Sequence, residues 1–171
     1  MTILGIDLGE RRIGIAVADG DGDAARPLTT LRRGRDPEAD AAAVERLARE
    51  QRADELVVGL PLEANGDDGP QAQLTRAWAL LIGERVGLPV ALRDERYSSH
   101  LAEQRLGPMK RGRSGGPPTA AQREVYRSRV DREAAAIILQ DELDARAAAG
   151  VGNARYPAPP QSHPIPEEGE S

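Results

Sequence analysis

Five short apolar runs in the first 95 residues of the chain predict β-strands. They span residues 2–9, 13–18, 26–31, 55–60 and 88–92. The first and fourth runs have almost no polar alternation, which is typical of strands buried on both faces of a sheet. The second has small residues, Gly14 and Ala16, on one alternation, as a strand closely covered by a neighbour would have. The third contains Pro27, which cannot donate a ladder hydrogen bond and is therefore placed at a sheet edge.

Four segments carry helix signals. The clearest start is Asp36-Pro37-Glu38, which combines a capping oxygen, a proline in the first turn and an acid near the positive end of the helix dipole. The apolar stripe of this helix is made by Ala41, Val44, Leu47 and Ala48. A second helix starts near Pro70, and its predicted buried face is made by Leu74, Trp78, Leu81 and Ile82. A short helix over residues 98–106, capped by Ser98 or Ser99, and a long one over residues 121–148 follow.

The order of these elements predicts an α/β fold. Three antiparallel strands come first, and two helix–strand units then add parallel strands through crossover connections. We therefore expect a mixed five-stranded sheet of order 3-2-1-4-5, with the first strand in the middle and helices on both faces. The elements form one domain over residues 1–148, and the proline-rich, acidic residues 149–171 are predicted to be a disordered tail.

Composition excludes some classes of site. The chain has no cysteine, which excludes disulfides and cysteine-ligated zinc and is typical of a reducing compartment. The first apolar run is too short for the core of a signal peptide, and no segment is long and apolar enough to span a membrane. We therefore expect a cytoplasmic protein without a membrane partner.

Charge is distributed unevenly along an acidic chain. The net charge is −5, yet residues 105–132 hold eight basic and two acidic side chains. Such asymmetry indicates a local surface for a polyanion such as nucleic acid, although a solvated helix face would have the same composition. The candidate nucleic-acid contacts in this segment are Lys110, Arg111, Arg113, Arg127 and Arg129. Because the chain has no phenylalanine and one tryptophan, binding is expected to depend on backbone and shape rather than on base stacking.

Three acidic positions are poorly placed for simple solvation. Asp7 comes where the central strand ends, and Asp94 and Glu95 follow the fifth strand. Because side chains alternate along a strand, only one of Asp94 and Glu95 can point the same way as Asp7. On the last helix, Asp131 lies in the middle of an apolar face made by Ala134, Ala135, Ile138 and Leu139. Burying such carboxylates unpaired costs several kcal/mol.

The chemistry of these acids depends on what compensates them. Each alone could be a capping residue or the partner of an arginine, and Arg12 or Arg132 could neutralise Asp7 or Asp131. Carboxylates that converge without a counter-charge instead favour a hard divalent cation, Mg²⁺ or Mn²⁺. Two such ions beside a basic segment fit phosphodiester hydrolysis, in which one ion activates a water and the other stabilises the leaving oxygen.

Five short motifs are informative in combination. They are Ile6-Asp7-Leu8-Gly9, Arg12-Ile13-Gly14-Ile15-Ala16, Val57-Val58-Gly59-Leu60-Pro61, Asp94-Glu95-Arg96 and Asp131-Arg132-Glu133-Ala134-Ala135. In this order, over residues 3–145, the chain resembles the YqgF (RuvX-like) family. This family is described as Holliday-junction resolvases and as the nuclease that matures the 5′ end of pre-16S rRNA, and it has the RNase H-like fold.

The resemblance implies a set of functional residues and partners. It implies that Asp7, Glu95 and Asp131 are the catalytic, metal-binding acids, and so it favours Glu95 over Asp94. It also implies that Gly9 and Arg12 contact the substrate backbone. The implied substrate is structured RNA, such as pre-rRNA in ribosomal particles, and branched DNA is the alternative. One departure is the long Gly/Pro-diluted stretch of residues 107–129 before and into the last helix, which leaves the preferred substrate shape open.

Two other interpretations use the same motifs. An actin-like ATPase also opens with a strand followed by Asp-x-Gly, but it needs a second, similar domain, and no other predicted strand ends this way. A non-catalytic RNA- or ribosome-binding module that keeps the fold is the stronger alternative. Metal-dependent cleavage would distinguish a nuclease from such a module.

Overall fold

The computed structural model describes residues 1–150, so the predicted tail of residues 149–171 lies outside the described residues except for its first two. The strands are β1 (Thr2–Leu8), β2 (Arg12–Asp19), β3 (Arg26–Arg32), β4 (Glu55–Leu60) and β5 (Val90–Asp94). The helices are α1 (Pro37–Gln51), α2 (Pro70–Val86), α3 (Ser98–Leu106) and α4 (Ala120–Ala148). None of these helices is both long and apolar enough to cross a membrane.

The strands form one five-stranded sheet in the order β3-β2-β1-β4-β5. Strand β2 runs antiparallel to β1 and β3, whereas β4 runs parallel to β1, and β5 runs parallel to β4. Strand β1 therefore lies in the middle, and the strand with Pro27 lies at an edge. The predicted α/β fold with a mixed sheet of order 3-2-1-4-5 is confirmed.

Side chains of the sheet alternate between two separate hydrophobic layers. Leu4 and Ile6 of β1 belong to the layer covered by α1 and α2. Ile3 belongs to the opposite layer, which is covered by α4. Because alternate residues of a strand share a face, Gly5 and Asp7 lie on the α4 side with Ile3. The end of β1 that carries Asp7 is therefore covered by helix α4.

Helix α4 approaches the sheet closely because two strand residues that face it have no side chain. A Cβ atom at Gly14 would overlap the backbone carbonyl of Asp131. A Cβ atom at Gly5 would lie 2.8 Å from the carbonyl oxygen of Ala135 and 2.7 Å from the Cβ of Leu139. The predicted close cover over Gly14 is confirmed, and the backbone at Asp131 is held against β2.

The fifth strand is displaced from its predicted span of residues 88–92. It covers Val90–Asp94, and its first paired residue, Val90, lies opposite Leu56. Pro89 has no N–H to donate to the ladder, and only its carbonyl takes part, accepting from the N–H of Leu56 at 2.9 Å. The strand therefore starts after the proline and runs on to include Asp94.

The buried face of α2 is rotated from the predicted one. Trp78 and Ile82 are buried as predicted, but Leu74 is 63% exposed and Leu81 is only half-buried. The face is completed instead by the small residues Ala72, Thr75 and Ala79. Because α2 packs against both α1 and the sheet, small side chains allow a close approach that a row of leucines would prevent.

The predicted helix caps have different outcomes. Asp36 caps α1 as predicted, since its carboxylate accepts from the backbone N–H of Ala39 at 2.8 Å. The prediction that Ser98 or Ser99 caps α3 is wrong, because Tyr97 is the N-cap residue and makes no side-chain cap. The Ser98 hydroxyl instead donates to the carbonyl of Glu95 at 3.0 Å, which stabilises the turn after β5.

Replacing Gly14 by alanine is expected to destabilise the fold by about 1–3 kcal/mol, because the methyl group would force α4 away from β2. The matched control is Gly116→Ala in the loop before α4, where a Cβ would meet only the Ser114 hydroxyl, at 3.6 Å. Urea unfolding of both variants measures the difference. Equal free energies of unfolding for the two variants would show that the packing of α4 on the sheet does not depend on Gly14.

Candidate active site

Asp7 lies near the end of the central strand with its side chain beneath α4. In the antiparallel pair of β1 and β2, Asp7 lies opposite Gly14. Because Gly14 has no side chain, α4 occupies the space beside the Asp7 carboxylate. The residue is only 8% exposed, and no cation among the described residues compensates its charge. The carboxylate is therefore deprived of water without gaining a positive partner, which is energetically unfavourable.

Glu95 joins Asp7 from the end of β5. Its backbone N–H donates to the carbonyl of Leu60 at 3.1 Å, which continues the strand ladder one residue past Asp94. Glu95 therefore shares the α4 face with Ala91, which packs in the α4 layer. Asp94 takes the other alternation and is bound by Arg96 at 2.9 Å. Of the two neighbouring acids, Glu95 is therefore the one that points to the same side of the sheet as Asp7.

Gly59 of β4 creates the space that the Glu95 side chain occupies. A Cβ atom at this position would overlap the Oε2 atom of Glu95 and lie 2.6 Å from the Cδ1 of Ile138. That Oε2 atom is buried and has no hydrogen-bond partner among the described residues. Sequence reasoning missed Gly59, although a glycine inside an apolar strand is a known sign that something approaches closely.

The pKa values of both acids are raised, and burial is the main cause. Burial raises the pKa of Asp7 to about 6, with a hydrogen bond from Glu95 opposing the shift and the charge of Asp131 adding to it. Burial raises the pKa of Glu95 to about 9, and the charge of Asp7 and the hydrogen bond with it contribute further. The paired carboxyl groups therefore hold a proton between them to a higher pH than two solvated carboxylates would.

The third predicted acid, Asp131, is half-buried and already has a partner. The Nε atom of Arg12 donates to its Oδ2 atom at 2.6 Å, and the Nη1 atom of Arg12 reaches Glu124 at 3.1 Å. The hydrogen bond with Asp131, aided by the charges of both acids, raises the pKa of the Arg12 guanidinium. Asp131 lies near enough for its charge to act on Asp7, but its carboxylate is directed to the arginine.

The residues present fit a divalent ion in part. Asp7 and Glu95 offer facing oxygens, an orphaned buried Oε2 atom and no competing cation, which is the donor set that Mg²⁺ or Mn²⁺ prefers. A ligand cluster of three or more metal-binding side chains is not assembled among residues 1–150. Asp131 would complete such a cluster only after leaving Arg12. In the described conformation the site therefore consists of two carboxylates, and the third acid, Asp131, is bound to Arg12.

The predicted nucleic-acid contacts lie on two neighbouring elements. Gly9 and Arg12 belong to the turn between β1 and β2, which is closed by a hydrogen bond from the Gly9 N–H to the Arg12 carbonyl at 2.9 Å. The loop of residues 107–119 and the first half of α4 carry exposed basic side chains, and in the described part of the chain none of these forms an ion pair: Lys110, Arg111, Arg113, Arg127 and Arg129. Their charges are therefore not neutralised by acids within the described part of the chain.

Comparison with known proteins gives consistent findings. The model of the family described as RuvX, Holliday junction resolvase, matches residues 1–145. A protein of Anaeromyxobacter dehalogenans named "Putative pre-16S rRNA nuclease" is 46% identical over 147 residues, which cover 86% of this chain and 99% of that protein. A protein of Chloroflexus aurantiacus with the same name is 42% identical over 144 residues, covering 84% and 87%. Among solved structures, Thermus thermophilus RuvC aligns with a TM-score of 0.49 and 16% identity, covering 86% of this chain and 97% of its own.

The protein in EDTA is expected to lose stability as the pH rises from about 4 to about 9, by about 2 kcal/mol or more. The sign follows from the raised pKa values, because at these two carboxyl groups the folded chain binds more protons than the unfolded chain throughout this range. Asp7→Asn should reduce the slope, since one of the two facing charges is removed. Asp23→Asn, in the exposed turn after β2, is the control. An unchanged slope in Asp7→Asn, measured by urea unfolding at several pH values, would contradict the facing pair.

Proposed function

The chain belongs to the RuvX family of Holliday junction resolvases, and we propose that it is a divalent-metal-dependent endonuclease that hydrolyses phosphodiester bonds in structured nucleic acid. The observation that carries the proposal is the pair of facing, buried carboxyl groups at the ends of β1 and β5. A fold gains nothing from this arrangement unless a cation enters it. A metal-dependent reaction centre explains why both acids are kept.

The roles of the acids follow from their surroundings. Asp7 and Glu95 would hold Mg²⁺ or Mn²⁺ between them, losing the shared proton as the ion enters. When bound, the ions would supply an activated water and stabilisation of the leaving oxygen, as in two-metal hydrolysis. Asp131 would complete the site as the third ligand. Because α4 is seated closely on β2, only the side chain of Asp131 has to move.

Arg12 would couple substrate binding to completion of the site. Its guanidinium fork matches a phosphate group as well as it matches a carboxylate. A backbone phosphate arriving at the turn of residues 9–12 would replace Asp131 as the partner of the arginine. The freed carboxylate would then face the Asp7–Glu95 pair, so that the full ligand set forms only on substrate.

The substrate we propose is the 5′ region of pre-16S rRNA, processed in the cytoplasm during ribosome biogenesis. The names of the two relatives support this choice. The family description supports a second candidate, the resolution of branched DNA at Holliday junctions. In both cases recognition would depend mainly on phosphates and shape, because few aromatic side chains can stack on bases. Of the aromatic residues within the described part, Trp78 is buried, Tyr126 is half-buried with its hydroxyl donating to the Gly107 carbonyl, and Tyr97 alone is exposed.

A cleavage assay with both substrate types tests the proposal. Purified protein with Mg²⁺ or Mn²⁺ is incubated with a 5′-extended 16S rRNA precursor fragment and, separately, with a four-way DNA junction. Site-specific cutting of the RNA supports the rRNA role, and cutting of the junction alone favours the resolvase. Binding of both substrates without cleavage in either metal would contradict the nuclease and support the non-catalytic module.

Asp7→Asn is expected to reduce the cleavage rate by about a thousandfold or more, because the metal site loses a charged ligand. Binding of the substrate, measured by anisotropy, should remain within about twofold, since the phosphate contacts lie elsewhere. Asp94→Asn is the matched control, because this acid is adjacent to Glu95 but faces away and pairs with Arg96. A cleavage rate in Asp7→Asn equal to that of Asp94→Asn would rule out the proposed centre.

Replacing Arg127 and Arg129 together by glutamine is expected to make the dependence of log affinity on log salt shallower, by about 1 for each phosphate that the variant no longer neutralises. The control is Arg49→Gln, which removes an exposed arginine that pairs with Glu45 on α1. Anisotropy titrations at four salt concentrations measure the slopes. If the double variant keeps the parental slope, these arginines form a solvated helix face and not a binding surface.

A further inference from the structure

A third buried acid, Asp40 of α1, differs from Asp7 and Glu95 because a cation and further hydrogen-bond donors surround it. Its side chain is completely shielded from solvent, yet it is fully compensated. The Nε atom of Arg33 donates to its Oδ2 atom at 2.8 Å, and the backbone N–H of Gly34 donates to Oδ1 at 2.7 Å. The indole N–H of Trp78 on α2 donates to Oδ2 at 3.1 Å. One carboxylate therefore joins α1, α2 and the segment that follows β3.

The other end of Arg33 reaches the turn between β1 and β2. Its Nη1 atom donates to the carbonyl of Gly9 at 2.8 Å. Its backbone N–H donates to the carbonyl of Arg11 at 2.9 Å. Arg33 thus fixes the turn of residues 9–12 at two points, and Asp40 in turn fixes the guanidinium of Arg33.

This turn carries the residues to which the proposed function assigns contact with the substrate. Gly9 follows Asp7 by two residues, and Arg12 closes the turn and holds Asp131. A shift of the Gly9 carbonyl would move the backbone on the carboxyl side of Asp7 and the start of β2 together. Such a shift would misplace Arg12 relative to an incoming phosphate, and substrate binding would weaken.

We propose that Arg33, anchored by the buried carboxylate of Asp40, is a positioning residue that holds the turn of residues 9–12 in the conformation that receives a substrate phosphate. The inference rests on the proposed function, because the turn has this role only if nucleic acid binds there. The guanidinium is suited to the task, since its rigid fork serves Asp40 and the Gly9 carbonyl at once. A lysine ammonium keeps the charge beside Asp40 but cannot reproduce this planar, two-acceptor geometry.

The hydrogen-bond network of Arg33 and Asp40 includes a fluorescent side chain, Trp78. Trp78 is the only tryptophan of the chain, it is 4% exposed, and its indole N–H bonds the same Oδ2 atom that Arg33 contacts. A phosphate that binds at the turn would alter the hydrogen bonds of Arg33. Because Arg33 and the indole N–H of Trp78 both contact Asp40, the electrostatic surroundings of the indole would then change as well. Tryptophan emission should therefore respond when a substrate binds at the turn of residues 9–12.

The experiment titrates substrate into metal-free protein carrying Asp7→Asn, so that binding is observed without cleavage. The probes are the 5′-extended 16S rRNA fragment and the four-way DNA junction. In the parent we expect a saturable change in tryptophan emission that tracks binding measured by anisotropy. Adding Arg33→Lys should abolish the emission change and weaken binding about tenfold, the effect of losing a hydrogen bond to a charged group. Arg76→Gln, an exposed arginine on α2 that pairs with Asp68, is the matched control and should behave as the parent.

Steady-state kinetics of the active protein give the second measurement. Arg33→Lys is expected to raise KM about tenfold with a smaller change in kcat, since binding geometry and not the reaction centre is disturbed. Asp40→Asn, which keeps the size of the side chain, should have the same kinetic signature, because Arg33 loses its anchor. All assays are run well below the melting temperature of each variant, so that a loss of folded protein does not count as a loss of binding.

Two outcomes would overturn the positioning role. The first is parental binding, kinetics and emission response in a folded Arg33→Lys protein. The second is a fall in activity that matches the fraction unfolded, with KM unchanged, which would make the network structural only. If wild-type protein binds but never cuts, the nuclease proposal fails, while loss of the emission response in Arg33→Lys still supports the positioning role of Arg33 in nucleic-acid binding.

Discussion

The structure depends on the enclosure of two facing carboxyl groups, Asp7 and Glu95, at one end of the sheet. Burial opposes the ionisation of both groups, the charge of Asp7 further opposes that of Glu95, and no cation of the described chain relieves them. The surrounding architecture nonetheless makes room for them. Gly59 leaves the space for Glu95, and Gly14 allows α4 to close over the site. A fold selected for stability alone would replace such a pair by apolar side chains of similar size.

A comparison with Asp40 shows that burial alone does not mark a functional acid. Asp40 is more completely enclosed than Asp7, but three donors from two segments satisfy it. Its charge is used to hold the fold together, whereas no cation among the described residues compensates Asp7 and Glu95. The two kinds of site are linked at the turn after β1, because Arg33 binds both the compensated acid and the carbonyl of Gly9, two residues after Asp7.

The architecture could be predicted well from the sequence, and the site could be predicted in part. Strand periodicity sufficed for the sheet order, but the face of α2 was wrong at Leu74, because packing selects small residues that a search for large apolar ones overlooks. The pairing of Glu95 with Asp7 needed either a family resemblance or coordinates, since alternation left two neighbouring acids open. Gly59 and Asp40 were missed because their roles consist of contacts between segments far apart in the chain. Local patterns contain no information on such contacts.

The most direct measurement is the location of Mn²⁺ by anomalous X-ray diffraction, in crystals of the protein soaked with the ion near pH 8. We expect an anomalous peak between the carboxylates of Asp7 and Glu95, with the Oε2 atom of Glu95 among the ligands. This expectation would be contradicted if the two carboxyl groups remained hydrogen-bonded to each other with no peak between them, and Mn²⁺ lay only on exposed acids elsewhere.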